Sequence, residues 1–157
     1  MVKFRNIGTY KNAVNIGYCV AGVEMHNGQV VEYDIATKTA KLPTDAKAEG
    51  LALVMNSIEK PEILSPNEYV IEVGELPRMF TLISLKDRII DMDMDQVIGD
   101  YSDIAVGDKL VPNTDGKWEK ADAVTGYPAY LEVVELTSCN GEGIGAVVKC
   151  PVSIATA

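Results

Sequence analysis

A chain of 157 residues with 47% hydrophobic and 24% charged side chains is long enough to bury a core without metals or disulfides, and its composition is not that of a disordered protein. The formal charge of −9, with arginine confined to Arg5, Arg78 and Arg88, excludes the clustered cations that phosphate neutralisation needs, so no nucleic-acid partner is expected. No apolar run reaches the roughly 20 residues that span a bilayer, and Met1 to Asn6 lacks the apolar core of a signal peptide, so the expectation is no membrane partner and synthesis in the cytoplasm. Cys19, Cys139 and Cys150 are an odd set without Cys-x-x-Cys spacing. They read as reduced thiols, the alternative being a Cys139–Cys150 bridge across a hairpin in an oxidising setting. No cofactor is expected.

Residues Met1 to Asn15 have no clear period, carry Lys3, Arg5 and Lys11, and contain no acid, a local reversal in an acidic chain. They read as an extended N-terminal arm, ordered only where it finds a surface to lie on, with Val2, Lys3, Phe4, Arg5, Ile7 and Tyr10 as its contact residues. The remainder, 16–157, reads as a single β-rich domain.

After a loosely alternating stretch with Gly17 and Gly22, His26-Asn27-Gly28 supplies a turn that tolerates positive φ. Val30 to Tyr33 predicts a strand. Asp34 to Lys38 predicts a turn in which Asp34 and Thr37 bond nearby backbone N–H groups, and a short strand follows from Thr39 to Leu42. Thr44 to Glu49 predicts one helical turn capped by Thr44 or Asp45. Leu51 to Met55 is continuously apolar and predicts a buried strand. Further strands are expected at Tyr69 to Val73 and, from its composition, across Arg78 to Ile90.

A phrase like Gly28 to Met55 returns from Gly107 to Val134. Aligning Gly107 on Gly28 gives an offset of 79, and aligning Ala129 on Ala52 gives 77, so the second unit reads as two residues shorter. Two similar β-units, around 28–55 and 107–134, are therefore expected, as a true repeat or as ordinary hairpins sharing turn chemistry. A last hairpin turns at Asn140-Gly141. The fold class is mainly β: a small β-barrel or β-sandwich of antiparallel hairpins with one short helix, at most two.

Candidate chemistry is sparse. Asp91, Asp93 and Asp95 alternate with methionines, which puts three carboxylates on one side of a strand; a Ca²⁺ site and a solvated acidic face are the two readings. The EF-hand pattern breaks at Gln96 and Ser102, so the solvated face is preferred. His26 is the only histidine and sits in a turn. Gly141-Glu-Gly143-Ile-Gly145 lacks the Lys-Ser/Thr of a phosphate loop and reads as part of a hairpin. Trp118, with Tyr127 and Tyr130, is either core cover or a platform for a partner or a sugar.

The run Gly-x-Val-Val-x-Tyr-Asp from Gly28, followed by a turn and the strand Gly50-Leu-Ala-Leu-Val, resembles the head-decoration (capsid cement) proteins of tailed bacteriophages. The resemblance covers mainly Gly28 to Met55 and more weakly Gly107 to Val134; the segment from Pro61 to Ile98 departs from it. It implies a non-enzymatic protein on the outer capsid surface of the virion, a trimer or else a dimer, whose arm adds a strand to the major capsid protein. The alternative of another class is a tail or receptor-facing module that binds host carbohydrate through Trp118, Tyr127 and Tyr130.

Overall fold

The computed structural model describes residues 1–6, 13–58, 62, 65, 68–138 and 141–151. They form a β-sandwich. One sheet has six strands in the order β1-β7-β11-β10-β8-β9: Val2–Phe4, Ile89–Asp93, Gly143–Lys149, Tyr130–Thr137, Lys109–Pro112 and Trp118–Lys120. The other has five in the order β2-β4-β3-β5-β6: Val20–Ala21, Thr39–Lys41, Val30–Asp34, Leu51–Val54 and Met79–Thr81. All pairs are antiparallel except β2 with β4. Short 3-10 turns lie at Leu82–Leu85, Met94–Gln96 and Tyr101–Asp103.

The continuous apolar run of β5 is explained by its position. Leu51 and Leu53 enter the main core between the sheets, with Val30, Phe80, Leu110, Trp118, Leu131 and Ile144. Ala52 and Val54 enter a second core on the other face of the five-stranded sheet, with Val31, Ala40, Met79 and a cover of Ile16, Cys19, Met25, Tyr69 and Ile71. A strand buried on both faces has no reason to alternate. β7, by contrast, buries Ile90 and Met92 on one face only.

The two units correspond strand by strand. β5 pairs with β3 through Val31↔Ala52, and β10 pairs with β8 through Leu110↔Leu131. Leu110 and Leu131 lie 79 beyond Val31 and Ala52, but those two face the second core; matched by face, the inward pair Val30↔Leu53 corresponds to Leu110↔Leu131 with offsets of 80 and 78, so the second unit is two residues shorter. The correspondence continues outward. Val20 lies parallel to Thr39, and Val97 lies parallel to Trp118, with Trp118 79 beyond Thr39 and Val97 77 beyond Val20. β6 adds to β5 and β11 adds to β10, while Asn15 bridges to β6 as β7 pairs with β11. Even the turns match: Asp34 accepts the Ala36 N–H at 2.8 Å, and Asn113 accepts the Asp115 N–H at 3.0 Å. Each sheet is one unit, and β1 is added at the outer edge of β7.

Several expectations need correction. Tyr69 to Val73 contributes an isolated bridge, Ile71↔Met25, because its apolar side chains serve as cover for the second core. The strand expected across Arg78 to Ile90 is split: β6 ends at Thr81, a 3-10 turn follows, and Asp87 at φ 61° turns the chain from one sheet into the other. The helical turn at Thr44 to Glu49 is a tight turn in which Asp45 accepts the Lys47 N–H. Cys19 and Cys150 are free thiols, and Cys139 lies outside the described residues.

Candidate functional site

The N-terminal segment is not an independent arm. Val2 and Phe4 are buried in the main core, with Val2 opposite Met92, Lys3 opposite Asp91 and Phe4 opposite Ile90. Phe4 meets the Phe80 ring edge-on at 5.1 Å. The alternation of Val2-Lys3-Phe4 sends two side chains inward and one to the open face of the sheet. Residues 13–16 also belong to the body, through Ile16 N–H to the Met79 carbonyl. Ile7 and Tyr10 lie outside the described residues.

Arg5 continues β1 and turns its guanidinium across the open face of the six-stranded sheet. Nε donates to Asp91 Oδ1 at 3.1 Å on β7, and Nη1 reaches Glu135 Oε2 at 2.8 Å on β10. Between those strands lies β11, and there the residue beneath the guanidinium is Gly145, where a Cβ would collide with Arg5. A Cβ at Gly143 would stand 2.7 Å from the Met92 carbonyl oxygen and 2.8 Å from Thr137 Oγ1. The Gly-x-Gly pair is thus a side-chain-free floor in a strand, not a loop. A bulge at Val134 displaces β10 and brings Glu135 opposite Gly145. The Asp91 hydrogen bond is the largest influence on Arg5 and raises its pKa, against the opposing effect of burial. A groove of about 380 Å³ follows this face, with Lys3, Arg5, Asp91, Asp93, Leu136 and Thr137 along its walls.

The acidic triplet is divided. Asp91 holds Arg5, Asp93 pairs with the Met1 ammonium, and Asp95 stands exposed in the 3-10 turn after β7. The three carboxylates therefore do not line one strand face, and no group of three or more metal-capable side chains occurs among the described residues. Ion-pair partners replace the repulsion that suggested a cation.

Trp118 is 0% exposed, and its Nε1 donates to the Gly28 carbonyl oxygen at 3.0 Å. It cannot present a platform to a sugar. Tyr127 and Tyr130 are half-buried, and Tyr127 carries the Lys47 ammonium 5.0 Å from its ring centre, beside a shallow groove containing Glu49, Pro128 and Pro151. Trp118 is instead the tie between units, reinforced by the Val30 N–H to Gly116 carbonyl bond at 2.8 Å. Gly116 has φ 73°, and a Cβ there would sit 2.7 Å from the Val30 carbonyl oxygen.

Asp91, Gly145 and Glu135 were not legible as one site with Arg5. The signals that could have joined them are the basic reversal before residue 12, the acidic run from Asp91, and glycines inside a strand pattern, which mark close approach. A further feature lies at the β2 edge, where Gly74 N–H bonds the Ala21 carbonyl and Ala21 N–H bonds the Glu75 carbonyl, both at 2.8 Å. Around it Tyr18, Val20, Val73 and Leu76 are exposed by 46, 36, 63 and 54%. No helix among the described residues is long and apolar enough to cross a membrane. Compared with known proteins, the chain matches no family model, no curated protein and no solved structure.

Proposed function

We propose that the chain is a non-enzymatic virion structural protein that binds the outer surface of a phage capsid and stabilises the lattice as a homo-oligomer, with a trimer as the expected state. The observation that carries this reading is the concentration of exposed apolar side chains, Tyr18, Val20, Val73 and Leu76, at one sheet edge of a chain with net charge −9. Exposed apolar side chains grouped at one edge of an acidic β-body suit attachment through apolar contacts rather than through charge. Since Val2 and Phe4 serve the chain's own core, we assign the proposed capsid contact to the β2 edge and not to an arm. Binding there stabilises a shell by mass action, in proportion to the logarithm of free protein over its dissociation constant.

The test is co-sedimentation with empty, expanded capsids of the phage that encodes the chain. Wild type should pellet with the shells and raise their melting temperature. A Val73→Asp, Leu76→Asp double variant, both positions being exposed, should lose binding by about tenfold or more while keeping its own melting temperature. Failure of wild type to bind, or equal binding by the variant, overturns the reading. Sedimentation velocity checks the trimer separately.

A further inference from the structure

We infer that the edge of β7, with the slot formed by Asp91, Gly145 and Glu135, is an acceptor site for the N-terminal strand of a second copy of this chain, and that copies exchange β1. The site is built for a segment of pattern apolar, polar, apolar, arginine. Its inner side takes Val2 and Phe4 into the main core, where Phe80, Ile90 and Met92 also lie. Its edge supplies the ladder through Lys3↔Asp91, continued by Arg5 N–H to the Ile89 carbonyl at 3.1 Å. On the open face the guanidinium lies over a glycine floor between two carboxylates. Each of these requirements is a requirement of the residues seated, not of their covalent connection to the same chain.

Three features point to a second copy as occupant. The ladder, ring and ion-pair partners of residues 2–5 described above all lie within 80–145, so among the described residues β1 forms its ladder with a distant strand and not with a sequence neighbour. Any copy carries the same Val-Lys-Phe-Arg sequence, so exchanged and unexchanged states have identical contacts, which is the condition for domain swapping at low cost. Charge selects the donor: in a chain of net −9, residues 2–5 carry Lys3 and Arg5 and no acid, while the acceptor presents Asp91, Asp93 and Glu135. A ladder of three residue pairs is also short for a strand, so little pairing has to be broken for β1 to leave its edge. This inference stands on the chain's own geometry and does not depend on the capsid reading.

Isotope-mixed cross-linking tests it on the full chain. Unlabelled and ¹⁵N-labelled protein are mixed in equal amounts, equilibrated, and treated with a carbodiimide, which couples the Lys3 ammonium to the Asp91 carboxylate as an amide. Free exchange gives about half of the Lys3–Asp91 cross-linked peptides one light and one heavy partner. Cross-linked peptides of a single isotope only, whether the protein sediments as a monomer or as an oligomer, overturn the proposal. Gly145→Ala, which obstructs the guanidinium, should lower the coupling yield several-fold while the near-ultraviolet signal of Trp118 is unchanged. An unchanged yield in that variant removes the slot from the acceptor site.

Discussion

The two sheets follow one plan and are used differently. In the five-stranded sheet, the connection from β5 to β6 and the segment from Ile16 to Met25 cover the outer face, so β5 is buried on both sides. In the six-stranded sheet, β10 and β11 form a direct hairpin, and the equivalent outer face stays open with charged side chains and glycines upon it. A long connection therefore converts one copy of the plan into an enclosed layer, and a short one leaves the other copy with a usable surface. Equal pairing does not mean equal solvent.

The tie between the sheets can be broken most severely at Trp118. Trp118→Ala should destabilise by about 3–5 kcal/mol, because it empties a large core volume and leaves the Gly28 carbonyl oxygen unmatched; denaturant unfolding measures it. A loss below about 1 kcal/mol would mean that the sheets are not joined through this residue.

The matched turns provide a sharper contrast. Gly116→Ala should cost about 2 kcal/mol or more, since it combines left-handed backbone with a close approach to Val30. The left-handed residue of the other unit's turn, Lys38 at φ 54°, is exposed, so Lys38→Gly should change stability by less than about 0.5 kcal/mol. Equal effects at the two positions would remove the claim that only one turn carries an inter-sheet contact.

Acid separates the same turns without a mutation at Asn113. The Ala36 N–H, as the largest influence, lowers the Asp34 pKa. A carboxylate with a depressed folded pKa contributes stability above its unfolded pKa of about 4 and loses that contribution as pH falls through the folded value. Hydrogen exchange of Ala36, corrected for intrinsic rate, should therefore speed up below about pH 4, while the Asp115 amide, held by the non-titrating Asn113, keeps its protection. Asp34→Asn should abolish the difference. The smallest effect is expected at Gln96, whose buried Oε1 has no hydrogen-bond partner among the described residues. Gln96→Leu should raise stability by up to about 1 kcal/mol, and a lowered unfolding midpoint would contradict that reading.

Local chemistry was legible in the sequence where its cause is local. The Asp34 turn, the two-faced burial of Leu51 to Val54 and the likeness of the two units each follow from residues within a short window. What escaped depends on distant partners. Val2 and Phe4 look like the apolar residues of a loose arm until Ile90 and Met92 are placed beside them, and Arg5 and Glu135 are 130 residues apart. Asp91 to Asp95 reads as a uniform alternation, yet a 3-10 turn beginning at Met94 takes Asp95 off the strand. Offsets of 77 and 79 both suit the sequence, and the match between the units depends on which core each strand residue faces, which no local pattern states.

Because the partners of β1 lie in the second half of the chain, its assembly has a timetable. Residues 2–5 leave the ribosome before their partners, and Glu135 and Gly145 are added about 130–140 residues later, which at roughly 5–20 residues per second is on the order of ten seconds. During that interval Val2 and Phe4 have no edge of their own to close. On a polysome, a nascent chain spends that time beside neighbours whose β7 is nearer completion, so the order of synthesis gives a strand from one polypeptide its opportunity to settle in another.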